Sequence, residues 1–179
     1  MDTLTLCRLA CSDSHIKKGF AGVFPSDGLP KSAGSFKSFI VNLDPKTKPG
    51  SHWTAIFFSH GKNPSIKNKS AFYFDSYGRL PSNKNIINFL VNNASNISYN
   101  FHGFQSFDSF TCGHFCLYFL YKLNRNLDLN ELSQNERRKN EIFIKSFVNS
   151  KLKLSDCCHS HHQNQHQTCR ALMNVAHSN

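Results

Sequence analysis

The spacing of apolar residues changes several times along the chain, and each change predicts an element. Leu4, Cys7 and Cys11 share one face of a short helix predicted over residues 3–11. Phe20 to Phe24 reads as a brief extended segment, ended by the turn-forming "PSDGLP". Alternation over residues 35–43, then the run "HWTAIFF" (52–58), predict two strands separated by the turn "DPKTKPG". A third strand, "AFYFD" (71–75), stops at "SYGRLPSN". Helical spacing at Ile86, Ile87, Phe89 and Leu90 predicts a helix over 84–93, and "ISYNF" (97–101) a further strand. The segment "CGHFCLYFLYKL" (112–123) is apolar almost all round, the mark of a central buried helix. Residues 135–153 read as a basic amphipathic helix. This order of strands and helices is that of an α+β domain.

Composition sets the boundaries. The domain is expected over residues 1–154, and residues 155–179 form a polar His/Cys-rich tail whose composition predicts disorder. A net charge of +10 makes an acidic partner plausible, DNA before an anionic surface, although a solvated lysine-rich surface is the plainer explanation. No run of apolar residues is long enough to span a membrane, and "MDTLTLCRLACS" is too short and carries an early acid for a secretory signal. Seven cysteines without framework spacing therefore read as reduced thiols in a nuclear or cytoplasmic protein that is not secreted.

The head of the 112–123 helix is where chemistry could reside. A helix N-terminus offers partial positive charge and free N–H groups, which favour a thiolate. Cys112 holds that position after "FDSFT", whose Asp, Ser or Thr could cap, and Gly113 beside it would leave room for a substrate. Cys112 could equally be the first core residue, as Cys116 one turn later is expected to be. A thiol nucleophile needs an imidazole, itself held by an acceptor. His52 opens one strand and Asp75 closes another, so the two can meet at one sheet edge. His114 points about 200° round the helix from Cys112 and is expected to be a packed or rim residue. Gln105, in the polar loop upstream, could supply an amide donor to an oxyanion beside the Cys112 N–H. The same helix could be read as a metal site through Cys112, His114 and Cys116, but the histidine faces away and no second pair stands at finger spacing. The tail, with Cys157, Cys158, His159, His161, His162, His166 and Cys169, has a more metal-like composition.

Taken in order, "SHWTAIFF", "FYFDSYGRLP" and "QSFDSFTCGHFCLYFL" resemble the adenovirus-type cysteine endopeptidases (adenain), over roughly residues 18 to 125. The likeness is greatest to the proteases of Maverick/Polinton elements and related DNA viruses. The resemblance implies a papain-like fold, with a mixed, mostly antiparallel sheet packed on the central helix that carries the nucleophile. It implies a cysteine-type endopeptidase that cleaves viral or viral-like precursor proteins during capsid maturation, at times inside a particle. Cys112 would be nucleophile, His52 base, Asp75 orienter and Gln105 oxyanion donor. It implies a protein or peptide substrate, a monomer, no cofactor required for chemistry, and DNA as a stimulating partner. Asp75 stands where adenain has Glu, and "VNNASNISYNF" lacks the cysteine through which a viral peptide activates adenain, so covalent activation is not carried over. Two other readings remain: a SUMO- or ubiquitin-like-protein protease of the same clan, and a basic nucleic-acid-binding protein with incidental Cys and His. Against the second, lysines are scattered and no known binding motif appears; DNA binding by the protease itself would draw on Arg137, Arg138, Lys139, Lys145, Lys151 and Lys153 of the basic helix and on Lys62, Lys67 and Lys69 of a loop.

Overall fold

The computed structural model describes residues 1–60 and 69–153. Helices α1 (Thr3–Ser12) and α2 (Ser14–Gly19) lead into strands β1 (Phe20–Phe24), β2 (Ser38–Asn42), β3 (Trp53–His60) and β4 (Lys69–Phe74). Helix α3 (Lys84–Asn93), strand β5 (Asn96–Tyr99) and helices α4 (Cys112–Leu123) and α5 (Arg137–Lys151) follow. One sheet of five strands runs in chain order, β1-β2-β3-β4-β5. The fold is α+β with a mixed sheet. Antiparallel pairing, expected to dominate, holds only for β2–β3 and β3–β4, whereas β1–β2 and β4–β5 are parallel. A parallel neighbour needs a connection that returns the chain to its starting end. Residues 25–37 do this between β1 and β2, and α3 does it between β4 and β5.

Strand side chains alternate between two cores. Ile40, Ala55 and Phe74 face α1, α4 and α5, while Phe39, Ile56 and Tyr73 face Ile86, Phe89 and Leu90 of α3. Phe119 of α4 stacks on Phe74 with centroids 4.7 Å apart, and Tyr118 meets Phe147 of α5 edge-on at 5.0 Å. Helix α4 is thus covered by the sheet on one side and by helices on the other, which is why its apolar residues run all round.

Several local expectations are corrected. Helix α1 buries Leu6, Cys7, Leu9 and Ala10 and leaves Leu4 exposed, because it is wedged between β1 and α4. Helix α2 was not legible as a separate element. Asp13 starts it by accepting from the His15 and Ile16 N–H groups, and Arg125 holds the same carboxylate at 2.6 Å. Lys69 is not a loop residue. It opens β4, is buried, and donates to the Gly34 carbonyl at 3.1 Å while lying over the Phe58 ring. Lys62, Lys67 and the tail with its cysteines and histidines lie outside the described residues.

The segment after β4 crosses the segment after β5 at van der Waals distance. The Phe104 and Gln105 N–H groups both donate to the Ser76 carbonyl, at 2.8 and 3.0 Å. A methyl group on Gly78 would lie 2.6 Å from the His102 carbonyl carbon, and Gly78 has φ +73°. Gly78→Ala should therefore lower unfolding stability by about 2 kcal/mol or more. Urea denaturation measures this, and a midpoint equal to that of the unsubstituted chain would contradict the tight crossing.

Candidate active site

The register of β3 and β4 ends with Ala55 opposite Phe74, which aims the end of β4 at the start of β3. His52 and Asp75 meet there. The imidazole Nε2–H donates to Asp75 Oδ1 at 2.9 Å, and both residues are buried. The same oxygen accepts the Tyr77 N–H at 2.8 Å, which fixes the carboxylate against its own turn. With Nε2 committed to Asp75, Nδ1 is the ring nitrogen left for Cys112, whose thiol is near enough to favour the charged ring.

Two opposing effects act on this pair. Burial disfavours a charged imidazole, but the hydrogen bonds to Asp75 and Cys112, together with their negative charges, outweigh it and raise His52 to about 9. Burial likewise pushes the Cys112 thiol up. Hydrogen bonding from His52 and from the Trp53 and Gly113 backbone N–H groups prevails, so the thiol falls below its ordinary value. The shifts are mutually consistent, because each group favours the charged form of the other.

The expected side-chain cap of α4 is absent. Thr111 occupies the N-cap position but makes no capping bond, and its hydroxyl instead meets Ser109 Oγ at 2.7 Å. The first N–H groups of α4 are thereby left free of a side-chain acceptor, and that of Gly113 faces the sulfur. The role expected of Gly113 also changes. A methyl group there would point at Leu6 Cδ2, 3.0 Å away, so this glycine admits α1 rather than clearing a path for substrate. Trp53, next to His52, donates its indole N–H to the Met1 carbonyl at 3.0 Å and anchors the start of α1 beside the site.

Gln105 is fully buried and braced. Its carbonyl accepts from Ser76 Oγ at 2.6 Å, and its amide donates to the Ser109 carbonyl at 2.8 Å and to the Tyr77 hydroxyl at 3.2 Å. Residues on α5 hold the same loop. Glu141 accepts the Ser106 N–H at 2.9 Å, and Asn140 donates to the Phe104 carbonyl at 3.0 Å.

His114 takes no part in the pair. It is half-buried, and burial with the positive charges of the N-terminus and Lys145 lowers it to about 4. Its Nδ1 has no hydrogen-bond partner among the described residues. Cys116 is a core thiol, pushed well above its ordinary value by burial. Among the described residues no group of three His, Cys, Asp or Glu side chains stands close enough to hold a metal ion. No described helix is long and apolar enough to cross a membrane.

Sequence reasoning missed Tyr77. Its ring stacks on that of His52 with centroids 4.8 Å apart, Phe107 stacks on its outer face at 5.7 Å, and the Arg137 guanidinium lies over Phe107. The only signal in the sequence was the aromatic residue inside the "DSYG" turn. Asn100 was missed as well. A scan against protein-family models finds no match to this chain, and a search of curated proteins finds none either.

The thiolate–imidazolium pair exists above the lowered thiol pKa and below about 9, where His52 loses its proton. At neutral pH, iodoacetamide should modify Cys112 at least about tenfold faster than Cys116, read by mass spectrometry of the intact fold. Equal rates would mean that Cys112 carries no thiolate.

Proposed function

We propose that this chain is a cysteine-type endopeptidase of the adenain-like, papain-like kind, cleaving viral or viral-like precursor proteins. The observation that carries the reading is the line Cys112–His52–Asp75 at the head of α4, its thiol half-buried and its other two members buried, with charge separation favoured at both ends. Such a pair supplies a nucleophile and an acid in one step. The Cys112 thiolate would attack the scissile carbonyl carbon, and the His52 proton would pass to the departing amine as the C–N bond breaks. Water would then give a proton back to His52 and add to the thioester, releasing the acid and restoring the thiolate. The oxyanion of each tetrahedral state would be met by the Cys112 N–H at the uncapped helix start. Gln105 would add its amide by yielding its bond to the Tyr77 hydroxyl.

A peptide substrate is also supported by the rim. Phe107 and Phe110 in the loop before Cys112 are 73% and 90% exposed, apolar surface that an extended chain crossing the site would cover. A protease of SUMO- or ubiquitin-like proteins would use the same three residues, and nothing in the rim favours it over the viral-precursor reading. DNA as an accessory partner draws on the net charge of +10 and on exposed Lys145, Lys151 and Lys153. Arg138 and Lys139, by contrast, are engaged by Asp108 and Glu136. Neutralising about three phosphates would give a log–log salt slope near −3 in a duplex titration. Affinity without salt dependence would remove DNA from the partners.

The function itself is tested on a peptide panel. Cys112→Ala should abolish cleavage with the fold retained. Gln105→Ala should lower kcat by roughly 10²–10³ with little change in KM. Cleavage surviving in purified Cys112→Ala would refute the endopeptidase. An unchanged kcat with lowered stability in Gln105→Ala would leave Gln105 as a brace of its loop.

A further inference from the structure

The ladder between β4 and β5 ends with Tyr73 opposite Tyr99, one residue short of Asn100 and two short of Asp75. Beyond that point a side chain continues the pairing. Asn100 Oδ1 accepts the Asp75 N–H at 2.9 Å, and Asn100 Nδ2 donates to the Asp75 carbonyl at 2.6 Å. The second amide hydrogen goes to the His102 carbonyl at 3.0 Å. A carboxamide is a short side chain that offers an acceptor and two donors together, so it can grip both backbone groups of one residue.

We propose that Asn100 is a positioning residue, which fixes the backbone of Asp75 and through it the carboxylate on which His52 rests. The proposal depends on the reading of Cys112, His52 and Asp75 as the catalytic line. Its physical basis is that this carboxylate is held through one oxygen only. Oδ1 has two donors, the Tyr77 N–H and His52, whereas Oδ2 is buried without a partner among the described residues. An unpartnered buried oxygen is costly, so a loosened Asp75 would rotate toward new donors or water and abandon His52. The Asp75 carbonyl also accepts the Gly78 N–H at 2.8 Å, so the turn carrying Tyr77 shares the clamp. Fixing Cα of Asp75 from the β5 side leaves the side chain with one productive rotamer.

Asn100 does not titrate. The titratable or charged groups around the site are His52 at the mouth of β3, Cys112 and Cys116 on α4, Tyr73, Asp75, Tyr77 and Arg79 on β4 and its turn, His102 after β5, and Glu141 on α5. A change in pH profile on substituting Asn100 must therefore act through one of them. Of the two whose backbones it holds, Asp75 and His102, Asp75 is the one bonded to His52.

The test is the pH dependence of Cys112 alkylation by iodoacetamide and of peptide cleavage, in the full chain and in Asn100→Ala. If Asn100 positions Asp75, His52 holds its proton less firmly in the variant. The acid midpoint of Cys112 alkylation should move up by about one pH unit and the alkaline limb of cleavage should move down by about as much. A residue that only adds stability would lower the unfolding midpoint without moving either limb. Asn100→Ser stays polar, adds no charge and is too short to hold both backbone groups of Asp75. It should move both limbs in the same directions, and it serves if the alanine variant does not fold. Unmoved limbs in a folded variant overturn the proposal. An ordinary thiol midpoint in the unsubstituted chain overturns the catalytic line itself, and this proposal with it.

Discussion

The hydrogen bond between His52 and Asp75 spans the mouths of two strands that pair in one register only, and it is shielded from water on every side. A shift of β3 against β4 by one residue would turn His52 to the opposite face of the sheet, because side chains alternate with a period of two. The register is held by the apolar residues of both faces, Ala55 and Phe74 toward α4 and Ile56 and Tyr73 toward α3. A slip would expose both sets together. The two cores thus act on the site by making every alternative pairing expensive.

Burial makes the site sensitive to each of its hydrogen bonds. In water an imidazole and a thiol beside each other would remain mostly neutral. Here the dry surroundings penalise both charges, and fixed partners more than offset that penalty: a carboxylate on one nitrogen, a sulfur on the other, and two backbone N–H groups on the sulfur. Tyr77 closes one face of the ring, and Phe107 closes Tyr77 in turn. The stack also ties the loop before α4 to the turn after β4.

Much of this was legible in the chain. Periodicity gave α3 and α4 to within a residue, because one has a clean amphipathic face and the other is apolar all round. His52, Asp75 and Cys112 could be placed at element ends from flanking turns, and the fold brings those ends together. What escaped was whatever depends on non-local geometry. Strand direction at the sheet edges is set by where the connections return, which periodicity does not encode. The burial of Lys69 follows from strands that extend into an apparently polar loop. Gly113 invited a reading of open space from its neighbour Cys112, yet it faces Leu6, far away in sequence. Asn100 reads as part of the strand expected over 97–101, which ends at Tyr99, and Tyr77 as a turn residue; only the crossing of two loops gives them partners.

The bare start of α4 has a consequence for selection on this chain. A side-chain cap at position 111 would strengthen the helix by about 1 kcal/mol, and aspartate is among the best caps available. The same aspartate would add a negative charge near the sulfur and draw off the N–H groups that now face it. Position 111 therefore sets robustness of the fold against reactivity of the thiol. Threonine, turned away toward Ser109, leaves the helix uncapped and the N–H groups at its start free to favour a thiolate. A variant chosen for heat resistance alone would gain from the cap and would favour the thiolate less.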